Sequence, residues 1–329
     1  MRRILPFLPI IIFLLTGCSA RDVGTLLPVQ LLALDGATEV TVAAEGELSP
    51  MTETGDTLAD AMETLRTRGA PEELSFAHIR CLLLGEAGVR EALPSLTEQM
   101  ARSTQTRLTL PLFIVKGEAK ALTEDDELLA KLMHAAAEHP HAYTLLDTAI
   151  ALSHGEAALC CALDADASPI GYAVVDERGV RGYLDADAAL GAELLSGTAR
   201  GAMLTTPSGA SVILRRVKAS PTLRWEGDEP TLEVEMRVSV AIQSAEGIEL
   251  GDASARAKLA DEVSSTVSAE VSAALGASQT LGADLFSLYR LAERQTPGGV
   301  PKLTRGELLS ALRCRIFVET VPERTFDMQ

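Results

Sequence analysis

The residue with the most defined chemistry is Cys18, which closes the tetrapeptide Leu15-Thr16-Gly17-Cys18. Small residues before a thiol suit a signal peptidase that cuts beside a cysteine already carrying a diacylglyceryl group. Upstream, Arg2 and Arg3 form a short positive region and Ile4 to Leu15 an apolar one. In a helix that apolar region would reach about 18 Å against a hydrocarbon core of about 30 Å, and Pro6 and Pro9 weaken a spanning helix further. Residues 1–17 are therefore predicted to be a secretion signal and not an anchor helix. A plain secretory signal that happens to contain a cysteine is the alternative. The lipobox pattern predicts lipid attachment at Cys18, where two acyl chains anchor stably and one alone would bind reversibly.

The other residues able to do chemistry fall into no catalytic pattern. Cys81, Cys160, Cys161 and Cys314 fit neither a zinc ribbon nor a CxxC redox motif, and are predicted to be small buried hydrophobes. An exported compartment permits disulfides, but the spacing pairs none of them. Four of the five histidines are His134, His139, His141 and His154. His139-Pro140-His141 would place two imidazoles on a metal, yet helical spacing from His134 does not continue through Pro140, and no motif nearby supplies a third ligand. Solvent-facing loop and helix-end histidines account for the same pattern. The carboxylate pairs Asp125-Asp126 and Asp185 with Asp187 suit helix N-termini and turns. There is no GxSxG elbow, HExxH helix, GxxxxGK[ST] loop or GxGxxG turn, and asparagine is absent from the chain. The sequence thus predicts no catalytic residue, no cofactor site and no metal site.

Composition narrows the class further. Among 329 residues, 47% are hydrophobic, enough to bury a sizeable core. Charge is lopsided, 29 Lys+Arg against 46 Asp+Glu, a net −17 that becomes about −19 once residues 1–17 are removed. With only 4% aromatics, such a chain lacks the basic groove and stacking rings of a nucleic-acid platform. It also has no polybasic segment for anionic lipid, so membrane attachment must come through Cys18.

The elements are legible from periodicity. Val29 to Leu34 and Val40 to Ala44 flank Asp35-Gly36 as a hairpin, and Thr57 to Arg68 carries Leu58, Ala61, Met62 and Leu65 on one helical face. Ile79 to Leu84 and Thr109 to Val115 are predicted as buried strands, with helices over Val89 to Met100 and Leu128 to Ala137. Farther on, Tyr172 to Asp176 and Val180 to Leu184 flank the turn Glu177-Arg178-Gly179, followed by a helix from Ala188 to Leu195 and a strand from Ser211 to Val217. Pro221 to Pro230 is the best linker candidate. Beyond it, Leu232, Val234, Met236, Val238, Val240 and Ile242 alternate with polar residues as a half-buried strand. Leu259, Val263, Val267, Val271 and Leu275 then recur every fourth residue as a long amphipathic helix predicted to pack on neighbouring strands. Gly282 to Ala292 and Arg305 to Ala311 are helical, and Cys314 to Val318 alternates as a last strand. The fold class is mixed α+β and α/β: three domains, each a mixed β-sheet with packed helices, after the lipoprotein signal peptide. Their predicted bounds are 18–156, 157–222 and 223–329.

In order along the chain, these pieces resemble the Ger(x)C family, the lipoprotein C subunits of spore germinant receptors. The resemblance rests on the lipobox with Arg21-Asp22-Val23 and on the hairpin motif Ala33-Leu34-Asp35-Gly36. It rests also on Phe76-Ala77-His78-Ile79 leading to Leu84-Gly85-Glu86, and on Lys116-Gly117-Glu118-Ala119-Lys120. The middle segment from Ala173 through Gly182-Tyr183-Leu184-Asp185 to Leu194-Leu195-Ser196-Gly197 is similar too, as is Gly282-Ala283-Asp284-Leu285-Phe286. No Trp follows Cys18, none stands between Pro297 and Leu303, and the tail Arg324-Thr325-Phe326 lacks the family's closing Gly. The resemblance implies a non-enzymatic lipoprotein held at the membrane through diacylglyceryl and acyl (palmitate) chains on Cys18. It implies a place on the outer face of the cytoplasmic (spore inner) membrane, integral membrane subunits A and B as partners, and no nucleic acid. A solute-binding lipoprotein of a transporter and an exported hydrolase are the alternatives; the first needs a ligand cleft between two similar lobes, the second a nucleophile motif.

Overall fold

Four apolar runs set the first sheet. In the computed structural model, which describes residues 26–45, 49–68, 73–103, 107–124, 127–138, 143–227, 229–245, 251–295 and 303–322, its strands are β1 (Leu26–Leu34), β2 (Glu39–Ala44), β3 (Met51–Thr54), β4 (Glu73–Ser75), β5 (Cys81–Gly85), β6 (Leu112–Val115), β7 (Ala158–Leu163), β8 (Pro169–Asp176) and β9 (Gly179–Leu184). The signal segment with Cys18, the pair Asp125-Asp126 and the triplet His139-Pro140-His141 lie outside the described residues. The strand order is β3-β2-β1-β5-β6-β7-β8-β9, with β4 pairing the start of β1. Strands β1, β5, β6 and β7 run parallel, and β2, β3, β8 and β9 extend the sheet antiparallel on either side.

The parallel strands are apolar at nearly every position because both of their faces are covered. Leu32, Leu34, Leu82, Leu84, Leu112 and Ile114 point into one core, beneath α1 (Leu58–Arg68), α2 (Glu86–Glu91), α3 (Leu93–Arg102) and α5 (Leu145–Ser153). The alternate residues Leu31, Ala33, Cys81, Leu83, Phe113 and Val115 point into another, which Leu128, Leu132 and Ala135 of α4 (Leu128–Glu138) complete. Neighbours in a strand face opposite ways, so Cys160 enters the first core and Cys161 the second.

The second sheet has the order β10-β11-β12-β13, formed by β10 (Met203–Thr205), β11 (Ser211–Glu226), β12 (Glu229–Ser244) and β13 (Arg313–Pro322). Its inner face carries Val212, Leu214, Leu232, Val234, Val238 and Val240 against Leu259, Val263, Val267 and Val271 of α7 (Ala253–Leu281), the stripe read from the sequence. The same core takes in α8 (Leu288–Gln295) and α9 (Arg305–Ala311). A fourth cluster joins the two halves: Leu159, Tyr172, Val174 and Leu184 of the first sheet pack on Ala188 and Ala192 of α6 (Ala186–Ser196) and on Ala274 of α7.

The mixed α+β class with packed helices is what the structure shows, with several corrections of detail. The described residues form two sheets and not three. Strand β7 pairs with β6 across the expected boundary at 156/157, so β7, β8 and β9 bring no sheet of their own. Residues Pro221 to Pro230 are no linker but the end of a long hairpin, with Pro221 opposite Val234 and Trp225 opposite Pro230, and the expected boundary at 222/223 falls inside β11. Pro221 is tolerated because β10 pairs only with Ser211 to Ile213, leaving that flank of β11 without a ladder to lose, and Pro230 stands at the start of β12, before its pairing with β13 begins at Thr231. The helix expected over Val89 to Met100 is two, broken at Ala92 before Pro94, whose ring nitrogen cannot continue the ladder. The helix expected from Gly282 starts at Leu288, because Gly282 is the left-handed cap that ends α7 (φ 60°).

Candidate functional site

Parallel strands end together, and in open α/β sheets the carboxyl ends of strands are where function gathers. Here β1 ends at Leu34, β5 at Gly85, β6 at Val115 and β7 at Leu163, and the next residues supply most of the polar motif positions. Asp35 follows β1 and is half-buried; its carboxylate accepts hydrogen bonds from the backbone N–H of Ala119 (2.5 Å) and of Lys120 (2.8 Å). Burial pushes the Asp35 carboxyl above its ordinary range, the two amide donors pull it back in part, and Glu39 and Glu118 push it up further.

Glycine at three positions makes this closeness possible. A Cβ on Gly85 would overlap Asp35 Oδ1 and the carbonyl of Gly117, and a Cβ on Gly88 would overlap the carbonyl of Leu34. Gly117 turns the chain after β6 at φ 121°, where side chains are strained, and so delivers the Ala119 and Lys120 amides to Asp35.

The rim of the site is charged and paired. Lys120 Nζ lies 3.0 Å from Glu39 Oε1, which raises the Lys120 pKa. The Tyr183 hydroxyl, from β9, donates to Glu86 Oε1 at 2.6 Å, and burial first, then this bond, pushes the phenol up. Lys116 Nζ stands 5.6 Å from the Tyr183 ring centroid, a cation–π distance. The arrangement holds charge in place. It has carboxylates with donors, but no nucleophile beside a base and no metal-binding cluster of His, Cys, Asp and Glu among the described residues.

A second polar cluster joins the loop before β7 to the helices of the second sheet. Glu156, only 5% exposed, accepts from Ser287 Oγ at 2.7 Å and from Arg290 at 2.9 Å. Asp284, also buried, accepts from the N–H groups of Leu288 and Tyr289 and so caps α8. Arg305 donates to the His154 carbonyl at 2.8 Å and stacks on the Tyr289 ring. Ser287 adopts a left-handed φ of 54° at the centre of this seam.

The sequence-marked residues separate. His134 on α4 and His154 at the end of α5 are exposed, at helix positions. Asp185 caps α6 by accepting from the Ala188 N–H at 2.9 Å, as its position suggested. Cys81, Cys160 and Cys161 are buried free thiols, each pushed up to about 12 by desolvation, which leaves them unreactive. Cys314, on β13, is exposed, against expectation. Sequence reasoning singled out neither Glu156 nor Arg290; the motif Gly282-Ala283-Asp284 is the one local signal near them.

Residues 28–136 match the family described as Spore germination protein N-terminal domain, and residues 170–307 match Spore germination B3/GerAC like, C-terminal. The class of the chain is therefore a spore germination protein. Within that class, it belongs to the Ger(x)C family. The crystal structure of the GerBC protein has the same fold: TM-score 0.63 at 15% identity, covering 88% of this chain and 96% of that one. No curated protein matches the chain. Asp35, Glu86 and Lys120 fall in the first matched segment and Tyr183 in the second, so the strand-end site is built across both.

Proposed function

We propose that this chain is the C subunit of a spore germinant receptor: a non-enzymatic lipoprotein, tethered through acyl chains on Cys18 to the outer face of the cytoplasmic membrane, acting by contact with integral membrane subunits A and B. The observation that carries the reading is the convergence of Asp35, Glu86, Lys116, Lys120 and Tyr183 around the carboxyl ends of the parallel strands. Asp35 meets two amides, Glu86 a hydroxyl, Lys120 the Glu39 carboxylate and Lys116 the Tyr183 ring; this favours a rigid contact surface over a site of turnover. No described helix is long and apolar enough to cross a membrane, so the proposed tether must lie outside these elements.

Mild-detergent extraction of the native membrane, followed by affinity capture of the full chain, tests the assignment. Co-purification of two multi-span polypeptides is expected, with loss of membrane association in a Cys18→Ser variant. Capture of the chain alone, or an unchanged membrane fraction for Cys18→Ser in palmitate-labelled cells, would overturn it.

A further inference from the structure

We infer that two copies of this chain associate through β13, edge to edge, about a two-fold axis passing at Phe317. Strand β13 is the terminal strand of the second sheet and pairs on one side only, with β12, over ten residues from Arg313 to Pro322. Its outer flank therefore presents a row of backbone groups without a sheet partner among the described residues. Phe317 at its middle is 56% exposed, among the most exposed large apolar side chains described. A long open edge of this kind is ordinarily blunted by charged side chains, lysine above all, by proline or by a bulge, and like charges set opposite each other would repel a second copy.

The charges here do the reverse. On the exposed face of β13 the order is Arg315, Phe317, Glu319, with Ile316 and Val318 facing α7. Antiparallel pairing of two such strands, centred on Phe317, sets Arg315 of each copy opposite Glu319 of the other and ring against ring at the axis. On the inner face, Ile316 of each copy meets Val318 of the other. Centring the pair on residue 315 or 319 would oppose two arginines or two glutamates, and centring it on 316 or 318 would set Phe317 opposite Arg315 or Glu319; the Phe317 register alone among these joins ring to ring and Arg315 to Glu319. The contact is isologous: each copy uses the same patch, and the two four-stranded sheets become one continuous sheet. Within one chain Arg315 already lies 2.9 Å from Glu226 and Glu319 3.7 Å from Arg237, which holds both side chains at the surface on this face.

Disulfide trapping in the full chain tests this. A Phe317→Cys variant made with Cys314→Ser is expected to form a covalent dimer under mild oxidation. An Arg237→Cys control, on the interior strand β12, should not. Arg315→Glu and Glu319→Arg, each added to the trapping variant, should lower dimer yield about tenfold. Mixing those two variants in equal amounts should restore it as a heterodimer, which also shows that both are folded. No dimer above the control, a dimer indifferent to charge reversal, or a crosslink to a different polypeptide would each overturn the two-fold contact.

Discussion

Tyr183 donates its hydroxyl to Glu86 at 2.6 Å, tying the segment that matches the family's C-terminal part to the segment that matches its N-terminal part. Glu86 is exposed and Tyr183 half-buried, so the bond is worth about 1 kcal/mol, the ordinary net value. A double-mutant cycle of Tyr183→Phe with Glu86→Gln should return a coupling energy of that size in urea unfolding. A coupling near zero would mean the two residues are neighbours without dependence.

Gly85→Ala should destabilise the fold by about 1–3 kcal/mol, because the added methyl overlaps Asp35 Oδ1 and the Gly117 backbone, which cannot retreat without moving β6. Chemical denaturation measures the loss directly. A midpoint equal to the parent's would show that the strand ends have slack.

Asp35 gives a pH dependence opposite to that of a salt-bridged carboxylate. Its folded pKa lies above the ordinary 3.8, so between those two values the folded chain holds more protons than the unfolded one. The contribution is fully present below 3.8 and is lost as pH rises through the raised value. The parent's stability minus that of Asp35→Asn should therefore decline with rising pH across that window and be flat outside it. A difference that grows with pH would contradict a carboxyl raised by burial.

Val267→Asp should cost several kcal/mol, about 3–5, since Val267 is fully buried between α7 and the second sheet and a carboxylate there has no partner. Thermal denaturation of the purified variant provides the check, and an unshifted midpoint would place the stripe at the surface.

What the sequence shows and what it hides divide along contact distance. The uninterrupted apolar runs of β5 and β6, the alternation in β12 and the four-residue stripe of α7 are local patterns, and each folds as its period dictates. Helix α5 was equally legible: Thr144 and Asp147 form a reciprocal capping box, a signal passed over beside the apolar Leu145-Leu146. The merging of β7, β8 and β9 into the first sheet is a pairing between distant strands and leaves no local trace. Pro221 to Pro230 reads as a linker because it is polar around the lone Trp225; the strand pairing that makes it the end of a hairpin, and the open flank of β11 that tolerates Pro221, exist only in the folded sheet. At the site, the motif residues were visible, but Asp35 reaches the Ala119 and Lys120 amides across more than eighty positions. The Glu156–Arg290 pair spans still more.

Helix α7 has a thermodynamic consequence. It lends Val263 and Val267 to one hydrophobic core and Ala274 to the cluster that holds the first sheet, so neither half keeps a complete interior once the other is lost. Heated in a calorimeter, the molecule should absorb its heat in a single endotherm, and a chain with two sheets should come apart as one cooperative unit.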